Sequence, residues 1–215
     1  MELKIIDSPP TQQGPDREFY TIAQLKHDRV WPYEFLPAYG MYPYLKRAGE
    51  DLLGIEIGVL KGENISLLLD LCPNIKRIYG IDPYLEHTDN GFHRSHEAMK
   101  RYEKIARENL NGYRDRVSIF EKSSNDAVSE FEEGSLDFVL LDGDHSYDGI
   151  MQDLINYSPK IKKNGYIFVH DCHLECVRNA MHDFRNKQKL RTPILISKNY
   201  VQFWQKEVLV NATPH

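Results

Sequence analysis

Through most of the chain, short unbroken apolar runs alternate with longer segments whose apolar positions recur every three or four residues. The runs are Leu52 to Ile57, Arg77 to Ile81, Val117 to Phe120, Phe138 to Leu141 and Tyr166 to Val169. They are too short for helices and read as strands buried on both faces. Helical spacing marks Ile65 to Leu71, Arg94 to Leu110 (Ala98, Tyr102, Ile105 and Ala106 on one face), Ile150 to Ile155 and Val177 to Phe184. A short helix is predicted over Asp126 to Phe131. Pro193 to Ile196 and Tyr200 to Trp204, joined by Ser197-Lys198-Asn199, predict a late antiparallel hairpin. Alternation of this kind implies an α/β fold: a doubly wound, mostly parallel seven-stranded sheet with helices on both faces.

The first fifty residues break this rhythm. Met1 to Arg17, with three prolines and no periodicity, reads as an extended arm, partly disordered or packed on a partner. From Phe19 to Arg47 aromatics are frequent, and Pro32, Pro37 and Pro43 divide the stretch into short helices or turns. It is expected to cap one edge of the core, and some of its rings suit a wall of a small-molecule pocket. The expected division is an arm and cap over 1–50 and one domain over 51–215.

Composition adds limits rather than a function. A chain of 215 residues, 41% hydrophobic and 27% charged, is an ordinary globular composition. A net charge of -5 argues against coating nucleic acid, which needs a basic face. Cys72, Cys172 and Cys176 form no CxxC pair and read as reduced thiols, and no stretch has the length of a membrane span. The expectation is a cytoplasmic protein with no nucleic-acid or membrane partner and room for a homodimer.

The chemistry gathers where strands end. Asp142 stops the run Phe138 to Leu141 and is followed by the turn residues Gly143, Asp144, His145 and Ser146. In open α/β sheets this carboxyl edge is where ligands bind. Glu56-Ile57-Gly58-Val59-Leu60-Lys61-Gly62 is a strand, a glycine turn and a helix start. It matches neither a dinucleotide GxGxxG nor a GK[ST] phosphate loop. The second strand ends on Asp82, where a carboxylate would meet vicinal ribose hydroxyls if adenosine lay over Gly58. The third ends at Ser123-Ser124-Asn125-Asp126, polar residues suited to an adenine edge or to capping the next helix.

In this order, Glu-x-Gly-x-x-x-Gly, the acidic residue and the Ser-rich turn resemble the class I S-adenosylmethionine-dependent methyltransferases, whose fold is Rossmann-like. Leu141-Asp142-Gly143-Asp144-His145-Ser146-Tyr147-Asp148-Gly149, followed by Asn164 to Asp171, resembles the metal-dependent small-molecule O-methyltransferase branch: the catechol, caffeoyl-coenzyme A and macrolide-sugar types. The resemblance covers about Leu52 to Trp204. It implies S-adenosylmethionine as cofactor, with Glu56 near its amino group, Gly58 against it and Gly62 shaping the turn. Asp82 would bind the ribose, Ser124 and Asn125 would meet the adenine, and Asp142 would approach the charged end.

Asp142 and Asp171 end two strands expected to be neighbours, so their carboxylates can converge on one divalent cation, Mg²⁺ or Mn²⁺. In the resembling enzymes the ion holds substrate hydroxyls and lowers the attacking oxygen's pKa. Where the plant and catechol pattern has Asn after the second aspartate, this chain has Cys172, and His170 precedes Asp171. That leaves the third ligand between His170 and water, and an imidazole there favours Mn²⁺, Fe²⁺ or Zn²⁺ over Mg²⁺. Asp171 alternatively caps a helix beginning near His173. His145 matches the proposed base of the macrolide-sugar branch, and its imidazole suits accepting a hydroxyl proton. Asp144 is expected to orient it or to serve the turn, and Lys61 and Tyr147 are rim candidates.

The expected function is S-adenosylmethionine-dependent methylation of a hydroxyl on a small sugar or phenolic molecule, with metal assistance. Two rivals use the same residues: a cofactor-binding assembly protein without turnover, and a metal-dependent oxygenase or hydrolase built on Asp142, His170 and Asp171. A nucleic-acid methyltransferase is disfavoured by the acidic balance and by the lack of an Asn/Asp-Pro-Pro-Tyr motif after the fourth strand.

Overall fold

The computed structural model describes residues 3–5, 36–89 and 91–207. The central sheet contains β1 (Leu3–Ile5), β2 (Leu52–Ile57), β3 (Ile75–Ile81), β6 (Val117–Phe120), β7 (Leu136–Leu141), β8 (Ile161–Val169), β9 (Ile194–Ile196) and β10 (Gln202–Gln205). A separate two-stranded hairpin, β4 (His87–Asp89) and β5 (Phe92–Arg94), follows β3. The longer helices are α1 (Ala38–Leu45), α2 (Glu63–Leu71), α3 (His96–Asn109), α5 (Tyr147–Tyr157) and α6 (Glu175–Lys187), with one turn of helix, α4 (Ser124–Ala127), after β6.

The strand order is β1-β9-β10-β8-β7-β2-β3-β6. Pairing is parallel from β6 through β8, and β10 runs antiparallel to both β8 and β9. The seven expected strands and the late hairpin are therefore present. Leu3–Ile5 adds an eighth strand at the edge beside β9, so part of the expected arm belongs to the sheet.

Alternation along the strands builds two cores. Phe138, Leu140 and Phe168 face Met41, Leu45, Ile65, Leu68 and Met99 of α1, α2 and α3. Val139, Leu141 and Ile167 face Ile150, Leu154, Val177 and Met181 of α5 and α6. Strands covered on both sides must be apolar throughout, which is why β7 reads as an uninterrupted run.

Register sets up the site. Ile57 pairs with both Ile81 and Leu141, and Leu141 pairs with Val169. The residues that follow these four, Gly58, Asp82, Asp142 and His170, therefore emerge along one rim. The order reverses between β2 and β7, whose successors in the chain pack to opposite sides, and such a switch point opens a crevice.

Differences from expectation lie at polar ends. β8 begins at Ile161 rather than Tyr166, because Lys162, Lys163 and Asn164 extend it without an apolar signal. α3 begins at His96, capped by Ser95, since Arg94 belongs to β5. Of the expected aromatic cap, Tyr39, Tyr42 and Tyr44 lie on α1, while Phe19, Tyr20, Trp31, Tyr33 and Phe35 fall outside the described residues. No helix among the described residues is long and apolar enough to cross a membrane.

Candidate active site

The turn after β2 is built against its neighbours' backbone. Gly58 has φ +91, and a Cβ there would lie 2.1 Å from the Asp142 carbonyl oxygen. Only glycine fits this approach. Gly62, at φ +72, ends the turn as the residue before α2, and a Cβ on it would press on Leu110. Asp82 fixes the turn from β3: its Oδ2 accepts the N–H groups of Val59 (3.1 Å) and Leu60 (2.9 Å), and its Oδ1 accepts Tyr84 N–H (2.8 Å). The expected ribose partner is thus also the brace of the glycine turn, a duty that its sequence position does not reveal.

Glu56 is 1% exposed, and its Oε2 accepts Asn64 Nδ2–H at 2.6 Å, while Asn64 Oδ1 accepts Ala38 N–H at 2.7 Å. Burial pushes the Glu56 carboxyl well above its ordinary pKa, the Asn64 bond pulls it down, and Asp142 and Asp82 push it further up. The acidic ends of three adjacent strands therefore feel one another. Among the described residues no lysine or arginine forms an ion pair with any of the three. A positively charged ligand beside Glu56 would offset this repulsion and favour its ionised form.

Beside it, Asp142, His145, His170 and Asp171 bring one donor atom each within 4.8 Å of the others. His170 Nδ1 lies 2.8 Å from Asp142 Oδ1 and 3.5 Å from Asp171 Oδ2. His145 Nε2 lies 3.4 Å from Asp142 Oδ1 and 3.2 Å from Asp171 Oδ2, in poor alignment for a hydrogen bond, and is buried without a hydrogen-bond partner. His145 Nδ1 meets Asp89 Oδ2 at 2.7 Å. Burial raises the Asp142 carboxyl, but the His170 and His145 rings outweigh it and hold the group below its ordinary range. Burial likewise opposes charge on His145, yet the carboxylates of Asp142, Asp171 and Asp89 lift its pKa well above the usual value. Four convergent donors, two of them carboxylates, fit a divalent cation.

Asp171 sits at φ +50, an uncommon conformation that cores seldom keep without a local reason. Its carboxylate does not cap the following helix: α6 starts at Glu175 after Leu174, which provides no side-chain cap. Instead Oδ2 faces the two histidines, and Oδ1 lies 3.6 Å from His173 Nδ1. His173 is outside the four-donor group and packs on Tyr200, ring centroids 4.3 Å apart.

The remaining expectations separate. His145 is buried, 8% exposed, rather than an open loop residue. Asp144 serves the turn by accepting Ser146 N–H at 2.8 Å, and the residue against the His145 ring is Asp89. After β6 the helix cap is Ser123, which accepts Asp126 N–H, and not Ser124 or Asn125. Those two are tied to α5: Tyr157 OH donates to Ser124 O at 2.7 Å and Asn156 Nδ2 to Asn125 Oδ1 at 2.8 Å. Tyr147 donates to Asp183 at 2.9 Å, and the Lys61 ammonium lies 5.3 Å from the Tyr102 ring. Asp89 was not among the expected site residues. The hairpin that carries it is signalled only by Asn90-Gly91, a favoured tight-turn dipeptide.

A parallel sheet with this order, a glycine turn at its switch point and acidic strand ends define a class I S-adenosylmethionine-dependent methyltransferase fold. A family model described as "Methyltransferase domain" matches residues 55–172, more than half of the chain, and the protein belongs to that family as a methyltransferase. Solved structures with the same fold include the O-methyltransferase NovP, with 17% identity, coverage of 78% of this chain and 79% of that one, and a TM-score of 0.59. A methyltransferase from Geobacter sulfurreducens aligns at 16% identity over 93% and 91% of the two chains, TM-score 0.55. An O-methyltransferase family protein from Burkholderia thailandensis aligns at 14% identity over 90% and 60%, TM-score 0.51. Comparison with curated proteins gives no significant sequence match.

Proposed function

We propose that the protein methylates a hydroxyl group of a small, ring-bearing molecule, a sugar or phenolic, with S-adenosylmethionine as donor and a divalent cation in the Asp142–His170–Asp171 cluster. The observation that carries this reading is the adjacency of two unlike sites on one rim. The acidic crevice of Glu56, Asp82 and Asp142 suits a sulfonium and its ammonium group, and the Asp/His cluster suits activation of an oxygen. In this reading Glu56 receives the methionine amino group, Gly58 and Gly62 leave room for the donor, Asp82 faces the ribose, and Ser124 and Asn125 face the adenine. Asp142, His170 and Asp171 would hold the ion, Mg²⁺ or, given the imidazole, a transition metal such as Mn²⁺. The ion's chemistry there is that of a Lewis acid, lowering the pKa of a bound hydroxyl.

His145 is the base. Asp142, Asp171 and Asp89 favour a proton on each ring nitrogen, and a cation held by Asp142 and Asp171 would offset two of these charges and leave Nε2 free. Nε2 then takes the acceptor's proton, the acceptor oxygen bonds to the methyl carbon, and the carbon–sulfur pair returns to sulfur, leaving S-adenosylhomocysteine. The shared rim would hold the reactants in line. Tyr200 is exposed and its ring lies 4.3 Å from that of His173, near Asp171, where it would offer a surface for the ring of an acceptor. Residues 51–215 are read as the catalytic domain, working in the cytoplasm, with a homodimer as the assembly to test.

The test is a panel of sugars, phenols and catechols incubated with S-adenosylmethionine, with S-adenosylhomocysteine measured by mass spectrometry before and after chelation. Turnover that chelation abolishes and Mn²⁺ restores supports the reading. Donor binding without turnover on any hydroxylated compound points to an assembly protein, and metal-dependent activity without the donor points to an oxygenase or hydrolase.

A further inference from the structure

Arg185 follows Met181 by one helical turn and stands next to Phe184, on the face of α6 that packs into the core. An apolar side chain is the ordinary occupant of such a position, yet here a cation is 1% exposed. Its guanidinium lies over the Trp204 ring, 4.7 Å from the centroid, and Nη2 donates to the Thr192 carbonyl. Burial lowers its pKa to about 10 and the Glu207 charge pulls it back up, so it is protonated at neutral pH. Among the described residues no carboxylate forms an ion pair with it. Glu207 Oε1 instead accepts Arg191 N–H at 3.1 Å.

We infer that Arg185, Thr192 and Trp204 form a buried site for a small monovalent anion, a halide such as chloride. Arg185 Nε and Nη1, Trp204 Nε1 and Thr192 Oγ1 are all buried without a hydrogen-bond partner. The nitrogens can only donate, and the hydroxyl is free to donate as well. Donors gathered around a cation call for an acceptor that carries negative charge. A water would satisfy some of these N–H groups but leave the buried charge unpaired, which is costly. The ring of Trp204 offsets only part of that cost. One guanidinium neutralises one negative charge, which favours a halide over a phosphate dianion.

The site is separate from the candidate active site. α6 starts beside the rim, where Cys176 Sγ–H donates to the His145 carbonyl at 3.0 Å, and Arg185 lies about 13 Å further along the helix at 1.5 Å per residue. Its three residues come from α6, the loop before β9, and β10, where Trp204 pairs with Ile167 of β8. An anion among them ties the helix to the antiparallel end of the sheet. It therefore stabilises the fold by mass action and leaves the rim as it is.

The test is thermal melting of the full-length protein in sodium chloride, bromide and gluconate at equal ionic strength, which separates binding from screening. A bromide-soaked crystal locates the ion. The wild-type melting temperature should rise along a saturation curve in chloride or bromide, a component missing in gluconate, whose bulk keeps it out. The crystal should show an anomalous peak beside Arg185 Nη1 and Trp204 Nε1. Arg185→Met keeps an unbranched stem in the core and should abolish the saturable rise. Thr192→Val, nearly unchanged in shape, covers the case in which Arg185→Met does not fold. It should raise half-saturating bromide about fivefold, the size of one neutral hydrogen bond. S-adenosylmethionine affinity should be equal in chloride and gluconate. Melts that coincide in the three salts overturn the inference, as does a saturable rise that both variants keep unchanged or a soaked crystal with no bromide peak at Arg185.

Discussion

In the proposed reading Asp82 would join binding to folding, because the carboxylate proposed to face the ribose also accepts three backbone N–H groups of the surrounding turns. Asp82→Ala should weaken S-adenosylmethionine binding and cost stability of order 2 kcal/mol, since buried donors lose a charged acceptor. Calorimetric titration and thermal melts check both effects. Unchanged affinity would remove Asp82 from the donor site. Gly58→Ala should be worse for binding: a Cβ 2.1 Å from the Asp142 carbonyl must move β2 or β7, and the backbone strain alone is of order 1–3 kcal/mol. The positions of Glu56, Gly58 and Asp142 along one rim were legible because each sits where an apolar run ends. The contact of Asp89 with His145 was not, because Asp89 lies in a polar stretch and meets a partner 56 positions away.

Elements differ in how openly the sequence declares them. β7 and α5 carry strong apolar patterns, whereas the first residues of β8 and the whole β4–β5 hairpin are polar and mark themselves only by turn chemistry. α5 also hides a feature that hydropathy does not show, because Asp153 is 3% exposed on its inner face. Burial raises its pKa to about 6, a hydrogen bond from Ser124 pulls it down, and the Asp144 charge raises it further. The folded protein therefore holds a proton that the unfolded chain has released between about pH 4 and pH 6. Stability from this group is present below the unfolded pKa and is lost as pH rises through the folded one. Asp153→Asn should remove that slope and stabilise the protein at pH 7 by up to about 3 kcal/mol, from the roughly two-unit shift. Chemical denaturation across this pH range tests it, and parallel wild-type and variant curves would contradict it.

At the scale of the whole molecule, function follows from register. Because β3, β2, β7 and β8 end level, residues distant in the chain gather into an acidic crevice and an Asp/His cluster side by side, the two sites that the proposed function uses. A mostly parallel sheet covered on both faces was legible from alternation, since such a sheet requires continuous apolar strands, whereas the strand order comes from the structure. How the donor groups point was not, because the ring orientations of His145 and His170 depend on carboxylates brought in by three different loops.

The most direct measurement is a crystal structure with S-adenosylhomocysteine and Mn²⁺ bound. The expected result is the amino acid end of the ligand against Glu56 and Gly58, the ribose at Asp82, and one anomalous peak among Asp142, His170 and Asp171, with His145 facing the vacated methyl position. Nucleoside density elsewhere on the surface, or no anomalous peak at saturating Mn²⁺, would contradict the proposed metal-assisted transfer.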